Sequence, residues 1–420
     1  MIPRELWQTL YERFDPEAPA ADPARRAERP FSPAPELLKA LERPFGDKRF
    51  LLIGTRGTGK TTELLRVAEA REAQDLVVML DVHTHFQRTV ADLFALQRVQ
   101  PWEILFLVGL AIYGTAARAG HRWSGAQTRA LAESWRRLSK AADAIEIERL
   151  AAVVATGPDD AAARWDLPLG LPQQPRAMDQ DDSVQSLLGA VNALLHDLRG
   201  TTGRGVLLVV DGLDRLTRPE TVAGLFLESA LLGRLDAPTL VTGPVTLWRQ
   251  GWLSRVRHFS PRRIPNAPVM DQEHPNEPGA GVDFLLEVFA RRVVDLPGGP
   301  ECIAEGELRR LAWHSGGLLR DYARLIREIA EDAWDRELER ADRQAVERAI
   351  DTLRRRVEGG LNRRHIALLQ EVADDPRHKL PDDDKVSELL DNHWLLPYSN
   401  GSDWYMPHPL LSLRQVVFGS

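Results

Sequence analysis

Residues 49 to 62 read Arg49-Phe-Leu-Leu-Ile53-Gly54-Thr55-Arg56-Gly57-Thr58-Gly59-Lys60-Thr61-Thr62. An apolar run of strand length gives way to G-x-x-x-x-G-K-[ST], and a helical pattern begins at Thr62-Glu-Leu-Leu-Arg. The glycines let backbone N–H groups close around a phosphate without Cβ clashes, and the start of the helix adds positive potential. Lys60 then bridges the outer phosphates while the Thr61 hydroxyl ligates Mg²⁺. The stretch predicts strand, phosphate loop and helix in succession.

A second strand, Gly205-Val-Leu-Leu-Val-Val-Asp211, carries five apolar residues before an acid, as a central parallel strand buried on both faces would. Its terminal carboxylate suits Mg²⁺ held through water. Strands are also predicted at Leu76 to Asp81 and Thr239 to Thr242, and helices separate them. Alternating strands and helices imply a doubly wound parallel sheet with its ligand at the strands' C-terminal ends.

From about Val282 the pattern becomes helical, with apolar spacing over 284–294, 304–315, 318–339 and 343–357. Two shorter helices follow, at 365–373 and 385–394. Next comes an alternating hairpin, Leu395 to His408, with Asn400-Gly401 as a tight-turn signal. Helix, helix and two-stranded wing is a winged-helix layout. The predicted domains are a lead-in over 1–47, a P-loop core over 48–280 with an insertion around 120–182, a helical lid over 281–357 and a winged helix over 358–420.

The chain has 420 residues, 43% hydrophobic and 27% charged, with a formal net charge of −7 and one cysteine, Cys302. That composition is ordinary for a globular protein. It leaves no global cationic field for nucleic acid, no disulfide framework and no cysteine-based zinc cluster. The longest apolar stretch, Ile104 to Ala117, is shorter than the roughly 20 residues of a bilayer span, and a buried helix behind the sheet is expected. No signal peptide is evident, so a cytoplasmic protein without a membrane partner is expected.

Together these motifs resemble the AAA+/STAND group of P-loop ATPases, in particular origin-recognition-type initiators and STAND switch proteins. The resemblance covers most of 40–415, and only the two nucleotide motifs are highly specific. It implies ATP and Mg²⁺ as cofactors. Gly54, Thr55, Arg56, Gly57, Thr58, Gly59, Lys60, Thr61 and Thr62 match the Walker A loop. Asp211 matches the Walker B aspartate, and the D-G-h-D form resembles the STAND version, in which Asp214 follows as a second acid. Thr242 matches the polar sensor 1 position, and Arg320 the sensor 2 arginine at the start of a lid helix. His408 matches loosely the winged-helix histidine that clamps ADP, since Pro409 replaces the usual aspartate.

Typical motors of this group carry Glu directly after the Walker B aspartate, where this chain has Gly212. Only Asp214 is then available as base, which implies slow hydrolysis. The main expectation is a nucleotide-gated switch that forms homo-oligomers and engages a protein effector, in a bacterial defence or mobile-element setting. The alternative is an initiator- or transposition-regulator-like ATPase that loads on duplex DNA. A third reading is an adaptor that binds nucleotide without hydrolysing it.

Candidates for an arginine completing a neighbour's site are Arg215, Arg218, Arg234, Arg291 and Arg292. The segment Trp248 to Arg263 mixes basic and aromatic residues, as a nucleic-acid surface does, or as a loop between sheet and lid with its tryptophans in the core. Asp382-Asp-Asp384, opening the presumed recognition helix, suits a helix N-terminus but repels phosphates.

Overall fold

Strand β1 (Arg49–Ile53) starts a five-stranded parallel sheet whose other members are β2 (Asp75–Asp81), β3 (Gly205–Asp211), β4 (Thr239–Gly243) and β5 (Ser260–Arg263). The order is β2-β3-β4-β1-β5. The computed structural model describes residues 3–19, 22–89, 92, 94–140, 145–156, 169–170, 178–248, 250–275, 277–399 and 402–411. Of the insertion expected around 120–182, residues 141–144, 157–168 and 171–177 lie outside these residues, as do Arg249 and the Asn400-Gly401 turn.

The described chain falls into two compact units. One comprises Pro33–Ile53 and Glu63–Arg263, the other Met1–Ser32, Gly54–Thr62 and Ile264–Ser420. In the first, β3 and β4 are buried almost throughout, which is why they read as apolar runs without alternation. The apolar stretch from Ile104 lies in the helix Pro101–Arg118, which packs on β2 and on the helix Asp182–Thr202. Pro101 occupies the first turn, and Glu103 accepts the Gln100 N–H at 2.6 Å, closing a capping box. Its other oxygen accepts the Gly170 N–H at 2.8 Å, and burial pushes the carboxyl up to about 7. Among the described residues no helix is long and apolar enough to cross a membrane.

Two elements carry no sequence signal of their own. The polar His83-Thr-His85 belongs to a helix, Val82–Thr89. Strand β5, Ser-Pro-Arg-Arg, has no apolar run to announce it. As an edge strand paired only with β1 it tolerates Pro261.

In the second unit the helix Pro3–Arg13 packs on Leu319–Asp335, and Trp7 Nε1 donates to Leu338 O at 2.6 Å. The N-terminal segment is therefore part of this unit's core. At the C-terminus, the helices Arg363–Asp374 and Val386–Asp391 precede an antiparallel hairpin of β6 (Leu395–Ser399) and β7 (Asp403–Pro407). Trp394 is buried just before β6, and its Nε1 donates to Val357 O at 2.6 Å.

Candidate functional site

The helix Lys60–Arg71 begins at the motif lysine, so its first N–H groups face the loop. Gly57 and Gly59 have φ of +82° and +93°, a region side chains rarely adopt. A Cβ on Gly57 would lie 2.5 Å from Arg320 Cβ, and one on Gly54 would lie 2.4 Å from Ile264 O. Lys60 is 4% exposed, and its Nζ donates to the carbonyls of Gly54 and Thr55 at 2.8 Å each. Thr61 and Thr62 are half-buried at the helix start.

The loop is fastened to its surroundings at several points. Arg320 N–H donates to Gly57 O at 3.2 Å. The Arg29 guanidinium donates to Thr58 O. Thr55 Oγ1 donates to Asn266 Oδ1 at 2.6 Å. Arg29 and Asn266 escaped sequence reading because neither belongs to a motif; only their burial beside the loop marks them. Arg320 itself donates through Nε to Pro16 O at 3.2 Å and pairs with Glu17 at 3.4 Å. The N-terminal segment thus meets the sensor 2 candidate, a contact with no local sequence signal.

His408 is 1% exposed. Its Nδ1 accepts the Leu410 N–H at 3.2 Å, and its Nε2 lies 3.8 Å from Asp321 Oδ2. That distance is too long for a hydrogen bond. Burial alone would raise the Asp321 carboxyl, but His408, His393 and Arg324 hold it well below the usual carboxylate range. Burial pushes His393 down to about 3, with Arg56 adding to the effect. Burial also raises Asp391 to about 6, against the pull of Arg56. The loop's own arginine is therefore close enough to act on two groups beside the hairpin.

The other unit holds Asp211, Asp214 and Thr242. Asp211 Oδ1 accepts Thr242 Oγ1 at 2.9 Å and the Gly212 N–H at 2.7 Å. Asp211 is the last residue of β3, and Thr242, paired with Leu52 of β1, is the last but one of β4, so both lie at the C-terminal ends of their strands. Gly212 explains the missing glutamate. Its φ is +86°, and a Cβ there would lie 2.6 Å from His83 N and 2.9 Å from Asp81 Oδ1. We expect Gly212→Glu to lower stability by at least about 2 kcal/mol without raising ATP turnover. Thermal melts beside a turnover assay check this. Asp214 sits in the short turn Leu213–Arg215 that follows.

The basic segment is divided. Arg262 lies over the Phe50 ring at 5.3 Å and Arg263 over Trp248 at 5.1 Å. Trp248 is buried and Trp252 half-buried, so the aromatic part serves the core. Arg255 and Arg257 are exposed, and no acid pairs with either among the described residues. At the C-terminus, by contrast, Arg364 pairs with Asp383 at 2.5 Å and Lys385 with Glu388 at 2.8 Å.

The loop, with its left-handed glycines and helix N-terminus, fits a phosphate chain. Each unit presents a hard oxygen donor of the kind Mg²⁺ takes, the Thr61 hydroxyl in one and the Asp211 carboxylate in the other. The strand order and the loop after β1 make this an α/β P-loop NTPase fold with a helical C-terminal region.

No protein-family model matches the chain, and no curated protein does. Among solved structures it is similar to the Aeropyrum pernix ORC1 protein in complex with DNA, at 15% identity over 94% of this chain and 93% of that one, TM-score 0.46. It is also similar to Cdc6p of Pyrobaculum aerophilum, at 13% identity over 96% and 95%, TM-score 0.42. A Walker-type ATPase of Pyrococcus abyssi gives 14% identity over 95% and 98%, TM-score 0.44. Likenesses this shallow assign no activity, and the fold rests on the strand order and the loop.

Proposed function

We propose that the chain is an ATP-binding and ATP-hydrolysing ATPase of the initiator kind, in which nucleotide at the phosphate loop governs the lid helix and the C-terminal hairpin. The observation that carries this reading is the seating of the loop on the start of the helix Leu319–Asp335. Gly57 O accepts the Arg320 N–H, and a Cβ on Gly59 would lie 2.7 Å from Leu319 Cδ1. A loop packed this closely cannot rearrange around phosphate without moving that helix. Lys60 and Thr61 take the phosphate and Mg²⁺ roles, Asp211 and Thr242 the metal-water and sensor roles, and Asp214 the base. Mg²⁺, when bound, neutralises phosphate charge as it develops.

Duplex DNA is the proposed partner, and Arg255 and Arg257 are its contacts, because they are exposed and unpaired among the described residues. The C-terminal module is a poorer phosphate surface, with its Arg364 and Lys385 already paired to acids. Each phosphate contact contributes about 0.9 to the slope of log affinity against log salt. The double variant Arg255→Ala/Arg257→Ala is therefore expected to weaken duplex binding by about tenfold or more and to flatten that slope by about two. Fluorescence anisotropy across a salt series measures both. An unchanged slope would remove these arginines from the interface.

The same acid pairing in the C-terminal module favours a second reading. There the chain is a STAND-type switch that assembles with itself and presents the module to a protein effector. Wild-type protein with no duplex affinity at low salt would move that reading to first place.

A further inference from the structure

Four consecutive residues, Ile264 to Ala267, touch four parts of the loop-bearing unit: the phosphate loop, the N-terminal segment, the turn before the lid helix and β6. Ile264 O stands where a Cβ on Gly54 would fall, and Arg29 donates to Pro265 O. Ala267 N–H donates to Gly317 O at 3.1 Å, just ahead of the lid helix. Asn266 has a contact at each end. Its Oδ1 accepts Thr55 Oγ1 from the phosphate loop at 2.6 Å, and its backbone N–H donates to Pro397 O in β6 at 3.3 Å.

Asn266 is 1% exposed, and its Nδ2 has no hydrogen-bond partner among the described residues. A buried, half-satisfied amide is destabilising, and an apolar residue of similar size would avoid that cost. The amide is nonetheless where the loop hydroxyl meets the hairpin's backbone link. The chain of contacts extends one step further back, because Thr55 O also accepts Lys60 Nζ at 2.8 Å. A phosphate oxygen at Nζ competes with that carbonyl for the ammonium's three N–H donors. Any rearrangement of Thr55 then acts on Asn266, and through it on β6.

We propose that Asn266 is the positioning residue that conveys the state of the phosphate loop to the hairpin, along the path Lys60, Thr55, Asn266, Pro397. The inference rests on the reading that the loop binds nucleotide, and its test separates the two. Hydrogen exchange of the hairpin, Leu395 to Pro407, is measured with and without Mg-ADP, and ADP affinity is measured separately by equilibrium dialysis.

In the wild type, ADP is expected to change hairpin exchange by about threefold or more, the scale of one hydrogen bond. Asn266→Ala abolishes that response while ADP affinity stays within about threefold. Asn266→Asp keeps an acceptor for the Thr55 hydroxyl and restores the response. Lys60→Ala loses both binding and response. If Asn266→Ala does not melt cooperatively, Asn266→Leu, close in volume, replaces it with the same expectation. A wild-type hairpin response in either apolar variant overturns the relay, as does wild-type ADP binding with no hairpin response. Failure of the wild type to bind ADP overturns the nucleotide reading and the relay with it.

Discussion

Lys60→Ala is expected to abolish measurable ATP turnover, with nucleotide affinity lowered by about a hundredfold or more. The ammonium supplies charge-assisted hydrogen bonds to phosphate oxygens, each worth about 1.5–3 kcal/mol, so losing two costs at least two orders of magnitude. Nζ is held over the loop by the carbonyls of Gly54 and Thr55, on a side chain that is 4% exposed. Truncation also removes the donor that both carbonyls share, so a stability loss of about 1–2 kcal/mol accompanies the functional one. A melt recorded beside the turnover assay separates the two effects. A variant that folds and hydrolyses ATP at the wild-type rate would exclude the loop as the site.

Asp211→Asn is expected to cut turnover by about a hundredfold or more while leaving the fold intact. An asparagine oxygen still accepts from Thr242 Oγ1 and the Gly212 N–H, the two contacts that orient Asp211. What is lost is the negative charge that a metal-bound water requires. Asp214→Asn is the companion experiment, because Gly212 leaves no room for the glutamate that motors use as base. A drop of similar size would support Asp214 in that role. Unchanged turnover would return the base to another group, and turnover absent even in the wild type would favour a nucleotide-binding adaptor.

The parts of this fold legible in the sequence are those whose signal is local. Gly54 to Thr61 could be read because a phosphate loop needs glycine at fixed spacing, and β3 because a buried parallel strand is an uninterrupted apolar run. The helix beginning at Pro101 declared itself by its proline and its apolar length. Strand β5 was hidden, since an edge strand of Ser-Pro-Arg-Arg has neither alternation nor an apolar run. The helix over His83 to His85 was hidden by its polar residues.

The site was legible only in part, for the same reason. Walker-type residues announce themselves by spacing, whereas Asn266 and Arg29 owe their place to contacts made across long stretches of chain. The Gly212 substitution could be seen in sequence but its cause could not. His83 and Asp81 occupy the space around it only once β2 and β3 have paired. Likewise, the acidic run Asp382 to Asp384 is visible in sequence, and only the fold shows that Asp383 pairs with Arg364.

On the proposed function, ATP hydrolysis at the phosphate loop proceeds under the control of a partner. The most direct test is steady-state ATP turnover by the purified chain, with and without duplex DNA, beside Lys60→Ala. Turnover is expected to be slow, absent in Lys60→Ala and raised several-fold by duplex. Wild-type turnover no higher than the Lys60→Ala background, under both conditions, would contradict the proposed function.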